Sequence, residues 1–317
     1  MTKNRRDFIK KLSMGAAGLS LMAALPSYLF AEEKKKKFDF KISLAQWSLH
    51  KALFSKKLSA LDFPVTAKKD FGAEGVEYVN QFFSDKAKDM VFLKSLKQRA
   101  DENGIKNILI MIDGEGSLAD KDQSKRIKAV ENHYKWVEAA KYLDCHSIRV
   151  NLHGEGTESE WKNASVDSLG RLSEFGAKNK INVIVENHGS YSSNGKLLSE
   201  VIRQVNNKSC GTLPDFGNFC FRREKGDLWE SPCVEFYDKY KGVEEMLPYA
   251  KGVSAKSFDF DAEGNETTID FRKMLSLVKA SGYQGYIGIE YEGERMSEED
   301  GIRATKKLLE KVRAELA

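Results

Sequence analysis

INVIVENHGS, residues 181–190, is the stretch on which the reading of this chain turns. It opens on Ile181, Val183, Ile184 and Val185, an apolar and mostly β-branched run of the kind a fully buried strand needs. Within one step it turns to Glu186, Asn187 and His188. Strand alternation puts Ile184, Glu186 and His188 on one face, so that face changes from apolar to charged at the strand's carboxyl end. Parallel strands that close into a barrel show this pattern, their lower positions filling a core and their carboxyl ends carrying chemistry.

Working outward, seven further runs have strand character: KISLAQWSL (41–49), GVEYV (75–79), IKNILIMID (105–113), HSIRVNLHG (146–154), CGTLPDFGN (210–218), GVSAKSFDF (252–260) and YIGIEYEG (286–293). Helical stretches separate them, among them AKDMVFLKSLKQRADENG and SKRIKAVENHYKWVEAAKYL. The last, SEEDGIRATKKLLEKVRAEL, starts at a serine with acidic residues in its first turn. Gly104, Asn179 and Gly282 stand where helices hand over to strands. An open doubly wound sheet would commonly carry a glycine-rich phosphate turn after its first strand, and none is present here. Eight βα units without a Pro- or Ser-rich linker predict one α/β domain over residues 41–317, a (β/α)8 TIM barrel.

The first 31 residues read differently. TKNRRDFIKK is followed by LSMGAAGLSLMAALPSYLFA, a charged start, an apolar run and a small residue at the end. Arg5 and Arg6 before Phe8, Ile9 and Lys10 predict a twin-arginine signal removed near Ala31, a charged linker over 32–40, and a periplasmic protein with no membrane span after signal removal. The segment holds five of the 51 basic and one of the 47 acidic side chains, so the remainder is electrically balanced. Such a chain has no electrostatic footprint for a nucleic-acid backbone. Cys145, Cys210, Cys220 and Cys233 follow no CxxC spacing. Pairing of Cys220 with Cys233 is open in an exported chain, and four buried thiols are the favoured expectation.

Glu186 has counterparts: Asp215 near the end of strand six, Lys256 in strand seven and Glu290 in strand eight each interrupt an apolar or small-residue run. Three carboxylates brought to one mouth repel one another and lose hydration, and a divalent cation keeps them ionised. Oxygen-only ligation by Glu186, Asp215 and Glu290 favours Mn²⁺, with Mg²⁺ or Co²⁺ as alternatives, over zinc. A buried ion-pair layer with Lys256 and Arg149 is the competing reading.

VENHG (185–189), LPDFGNF (213–219), GVSAKSFDFD (252–261) and GYIGIEYEG (285–293) together resemble the strand motifs of the xylose isomerase-like TIM barrels, often labelled sugar phosphate isomerase/epimerase. The resemblance runs over residues 41–317. It implies that Glu186, Asp215 and Glu290 are metal ligands and that the two glutamates flank a sugar and exchange its protons. Two positions depart from the family pattern: Asn218 stands where many members have the His of Asp-x-Gly-His, and Ser254 where many have the His of a V-H-x-K run. His188, Asn218 or water is left to complete the shell.

The remaining candidates carry two readings each. His188 is an acid or base near neutrality or a partner for a carboxylate, and His153 lies in a similar place at the end of strand four. Lys256 can steady developing negative charge, or serve in an ion pair. Glu77, at the end of strand two, is a substrate contact or a salt bridge. FRREKGDLWESPCVEF (221–236) is long for a βα connection, and Trp229 there or Trp47 at strand one offers a stacking face for a sugar, with Arg222 and Arg223 for its oxygens.

The predicted activity is enolisation of an unphosphorylated keto-sugar or 3-keto-glycoside, ending in isomerisation or epimerisation. A lyase or hydratase acting on a 3-keto-glycoside or its unsaturated product is the alternative, and a non-catalytic sugar-binding barrel the second. Homo-oligomerisation is left open. Endonucleases of abasic DNA share the barrel resemblance but resemble a histidine-rich three-zinc site, whereas this chain has five histidines in all.

Overall fold

The computed structural model describes residues 38–317. The expected signal segment and residues 32–37 of the expected linker lie outside the described residues. Phe38 and Phe40 are buried in the core, and Arg313 from the last helix donates to the Phe40 carbonyl.

Eight parallel strands form the sheet: β1 Lys41–Ala45, β2 Gly75–Val79, β3 Lys106–Met111, β4 Ser147–Val150, β5 Asn182–Glu186, β6 Cys210–Leu213, β9 Val253–Ser257 and β10 Tyr286–Tyr291. Their order is β6-β5-β4-β3-β2-β1-β10-β9. Single parallel bridges, Thr212 to Ala250 and Asp215 to Ser254, join the two outer strands and curl the sheet into a barrel. This is the expected TIM barrel, in one domain.

Side-chain alternation divides the core in two. Outward positions such as Val76, Ile110, Ile148, Val183, Val185 and Ile287 meet the helices, while Val79, Leu109, Met111, Ile184 and Leu213 fill the barrel from inside. The helices are started by side-chain caps that the sequence supplies: Asp89, Asp122, Asn194, Asp238, Asp270 and Ser297 accept from first-turn amides. Thr157 and Glu160 cap each other reciprocally.

The strands are shorter than the apolar runs suggest. β6 stops at Leu213 because Pro214 has no amide proton for a ladder. Trp47 lies beyond β1, in the 3-10 turn Gln46–Leu49. At the helix end near Asn179, Lys180 takes the left-handed conformation with φ 62°, while the Asn179 amide donates to the Phe175 carbonyl. The segment expected to be a long loop is instead an antiparallel hairpin, β7 Cys220–Arg223 with β8 Cys233–Phe236. Cys220 and Cys233 are disulfide-bonded across it, which overturns the expectation of four thiols; Cys145 and Cys210 are buried and free. The two ends of a hairpin put paired residues in reach whatever their sequence context, and that pairing was not visible from spacing.

Gly154 shows how tightly the rim is packed: a Cβ there would lie 2.1 Å from the Ala119 carbonyl oxygen, which is backbone and cannot swing away. Gly154→Ala is expected to cost about 1–3 kcal/mol in a denaturant titration. Gly170→Ala, mid-helix with nothing within 4 Å, should stabilise by up to about 1 kcal/mol.

Candidate active site

The inward face of the barrel changes from apolar to charged along each strand. Leu109 and Met111 are followed by Asp113, Ser147 by Arg149 and Asn151, Ile184 by Glu186 and His188, and Gly288 by Glu290 and Glu292. Each set keeps the period of two, so all of them point toward the barrel axis at its carboxyl end.

Glu186, Asp215 and Glu290 are brought together as expected. One carboxylate oxygen from each lies within 4.8 Å of the other two, and all three residues are buried. The trio is held by short polar contacts. Asn187 accepts from the Asp215 amide at 2.7 Å and donates to its carbonyl at 3.0 Å, and Asp215 Oδ1 accepts from the amides of Gly217 and Asn218, each at 2.9 Å. The Asn218 side chain donates to Glu186 Oε1 at 3.0 Å. Ser254 Oγ is 2.6 Å from Asp215 Oδ2 and 3.3 Å from Glu290 Oε2, so its single proton serves one carboxylate at a time.

Two buried cations flank the trio. Lys256 Nζ sits 2.7 Å from Glu290 Oε1 and 3.0 Å from Glu292 Oε2. Arg149 donates to Asp113 Oδ1 at 2.8 Å, and its Nε lies 2.8 Å from Glu186 Oε2. That second contact is poorly aligned as a hydrogen bond: both atoms are buried with no hydrogen-bond partner of their own. Glu186 Oε2 is therefore held against the Arg149 guanidinium by charge, without an aligned hydrogen bond.

Burial dominates the electrostatics. It pushes Glu186 well above the usual carboxylate range despite Arg149, with Glu290 and Asp215 adding repulsion, and raises Asp215 to about 6 despite Lys256. Burial opposes the charge on Lys256 as well, but Glu290, Glu292 and Asp215 hold it well above the ordinary lysine value. These are the conditions under which a divalent cation is attracted, since it satisfies three desolvated carboxylates at once. The donor set fits one: a buried carboxylate oxygen from each of three residues, all within 4.8 Å of one another.

His188 Nδ1 is 3.0 Å from Asn151 Oδ1, and the Asn151 amide donates to Asp113 Oδ1 at 2.7 Å. Because that oxygen of Asp113 only accepts, the Asn151 amide must face it and its carbonyl must face His188, which puts the imidazole proton on Nδ1. Burial and the nearby Arg149 lower the His188 pKa well below the ordinary value, keeping the ring neutral with Nε2 free to accept. His153 Nε2 approaches the His188 carbonyl at 3.2 Å, and the Trp229 ring lies over His188 with centroids 4.5 Å apart.

Other expected residues lie elsewhere. Glu77 is not at the rim: it accepts from Ser43 at 2.5 Å within the barrel and faces Gly288, one inward position below Glu290. Arg222 is exposed and pairs with Glu235 on the hairpin, and Arg223 donates to the carbonyls of Leu228 and Ser231, bracing the hairpin's turn. Trp47 donates to Glu292 and stacks on His50 with centroids 5.0 Å apart. Asp113, Asn151 and Glu292 were not singled out from sequence; each sits one alternation step from an inward residue already visible as such.

A family model described as xylose isomerase-like TIM barrel matches residues 65–312. An inosose dehydratase from Geobacillus thermodenitrificans (strain NG80-2) is 23% identical over 150 residues, 43% of this chain and 48% of that protein, so the match spans about half the relative's length. Among solved structures, the D-psicose 3-epimerase from Clostridium cellulolyticum H10 with D-tagatose superposes with TM-score 0.67 at 12% identity, covering 86% of this chain and 99% of that one. The IOLI protein with a bound zinc atom gives 0.66 at 15% identity over 88% and 99%. The 3-keto-D-glucoside 4-epimerase of E. coli gives 0.61 at 14% over 86% and 100%. At these identities the structures show a shared fold.

Two outcomes follow from the buried charges. Glu77, raised by burial from 4.5 to about 7, keeps its proton in the fold after the unfolded chain has lost it, so stability falls as pH rises through that window. Glu77→Gln should remove this loss, gaining up to about 3 kcal/mol over the native protein at pH 8 and little at pH 4 in urea titrations. Arg149→Met leaves Glu186 and Asp113 without their cation and should cost about 3–5 kcal/mol in the same assay at neutral pH.

Proposed function

The chain belongs to the xylose isomerase-like TIM barrel family, and from that premise we propose that it is a sugar-modifying enzyme: a divalent-metal-dependent enolising catalyst acting on an unphosphorylated keto-sugar or 3-keto-glycoside as an isomerase or epimerase. The observation that carries the reading is the convergence of Glu186, Asp215 and Glu290 within 4.8 Å, each on a different strand end. Two glutamates from different strands at one site suit removal of a proton from one face of a carbon and its return on the other.

Glu186, Asp215 and Glu290 would hold the cation, with Mn²⁺ preferred for an all-oxygen donor set. When bound, such an ion polarises neighbouring carbonyl and hydroxyl oxygens and stabilises the negative charge that enolisation develops. The protein's own groups do the rest. One of the two glutamates takes the proton from the carbon next to the carbonyl, and the electron pair moves onto the carbonyl oxygen. Lys256, fixed between Glu290 and Glu292, supplies positive charge and a proton donor beside that oxygen. His188, neutral with Nε2 open, accepts a hydrogen bond from a substrate hydroxyl, and Trp229 over it shields that side from water. Glu77, one layer below, acts on the site through charge alone.

A lyase reading is favoured by one observation, the similarity to an inosose dehydratase. It shares the proton abstraction and differs in the next step, where the electron pair expels a β-hydroxyl as water after protonation by Lys256 or a glutamate, leaving an enone. The twin-arginine segment places the reaction in the periplasm under this proposal, with the barrel exported folded. Mass spectrometry of the protein from the periplasmic fraction, finding a new amino terminus near residue 32, is the expected support.

The chemistry is tested by incubating Mn²⁺-loaded protein with keto-sugars in deuterated water. Deuterium should enter at the carbon beside the carbonyl, and Glu290→Gln or Glu186→Gln should slow exchange about 10²–10⁴-fold. Chelation should stop exchange and Mn²⁺ restore it. Exchange accompanied by growing enone absorbance identifies the lyase, and binding without exchange identifies a sugar-binding barrel.

A further inference from the structure

A well-formed cavity lies beside the carboxylate trio and not over it. It encloses about 900 Å³ to one side, between the loop after β3, the loop after β4, the turn after β5 and the disulfide-bonded hairpin. None of the three carboxylates is among its walls, but His153 is. From His153 the path to the trio is short: its ring centroid is 5.7 Å from that of His188, which bonds Asn151, then Asp113, then Arg149 against Glu186. The volume is near the top of the range of ordinary ligand pockets, about 300–1,000 Å³, and a lone sugar ring bound at the trio would leave it unused.

The walls show what would occupy it. Lys121, Lys125, Arg222 and Arg223 are matched by Asp120, Asp122, Glu155 and Asp227, so the cavity has no net charge. Much of that charge is also spent within the walls: Asp122 caps a helix, Asp227 accepts from the amides of Glu230 and Ser231, Arg222 pairs with Glu235 and Arg223 braces the hairpin turn. With as many carboxylates as cations in the walls, a phosphate or uronate would meet no net positive field there. Apolar surface comes from a rigid corner, Tyr191 edge-on to Phe221 at 5.9 Å, with the Tyr191 hydroxyl donating to the Gly156 carbonyl at 3.1 Å and Trp161 packed behind it. A flat apolar face within a neutral, polar cavity matches a sugar ring, apolar on its C–H face and hydroxylated around its edge.

We propose that this cavity is a second sugar subsite, holding the neutral glycosyl unit joined by a glycosidic bond to the keto-sugar ring bound at Glu186, Asp215 and Glu290. The substrate is then a keto-disaccharide or longer glycoside rather than a free keto-sugar. The proposal rests on the enolising reading for the ring at the trio, and on the cavity alone for the second unit. The hairpin is what builds it: Cys220 lines the cavity, and its bond to Cys233 fixes the strand from which Phe221 projects.

The test is calorimetric titration of the full protein, loaded with Mn²⁺, with a 3-keto-glucosyl-glucose disaccharide and with methyl 3-keto-glucoside. The disaccharide is expected to bind at least about tenfold more tightly, about 1.4 kcal/mol. In Phe221→Ala that ratio should fall toward one, and in Phe221→Tyr, which keeps a ring, it should be retained; thermal melts verify that both variants fold. Equal affinities in the native protein overturn the proposal, as does displacement of the disaccharide by inorganic phosphate. A preserved disaccharide preference with no deuterium exchange into either ligand upholds the subsite while sinking the enolising reading.

Discussion

Three carboxylates buried at one barrel mouth cannot all keep their charge unless something positive lies among them, and the surroundings of this site follow from that constraint. Lys256 and Arg149 are each shared with a further carboxylate, Glu292 and Asp113. Asn187 and Asn218 add neutral donors that orient Asp215 and Glu186 without adding charge. Lys256 comes from the strand between those of Asp215 and Glu290, and Arg149 from the strand beside that of Glu186. Even with these partners, burial pushes Glu186 and Asp215 toward their neutral forms.

Ser254 marks the chain's departure from the family's histidine. A hydroxyl with one proton between two carboxylates bonds one of them and leaves the other to its remaining partners. It is also smaller than an imidazole, leaving room at the centre for water or a substrate oxygen. Removing a nitrogen donor and keeping oxygens shifts the donor set toward the harder cations. One inward step further along β9, the buried Lys256 holds Glu290 by an ion pair.

The hairpin changes the site in a second way. It puts Trp229 against His188 and His153 and walls the neighbouring cavity with Phe221. Its disulfide makes a long insertion into a fixed wall, where an open loop of that length would be mobile. Gly189, at φ 87°, turns the chain directly after His188 and leaves space for the indole, whose nearest atom would be 3.4 Å from a Cβ.

The barrel and its carboxylate trio were legible in the sequence because both follow from local periodicity. Apolar runs spaced by amphipathic helices give strands in order, and a period of two assigns Glu186, Asp215 and Glu290 to one face and one end. Glu292, Asp113 and Asn151 obey the same period, yet each lies past a strand end, where nothing local says whether the chain still points inward. Glu77 shows the reverse: it is on the inward face but one layer too low, since depth in a barrel depends on the stagger between strands and not on position within one. The hairpin, the Cys220–Cys233 bond and the placement of Arg222 and Arg223 were decided only by tertiary structure, because they rest on which distant groups meet. Sequence determines the direction in which a side chain leaves its strand; which charge stands opposite it, and how deeply both are buried, is settled when the sheet closes.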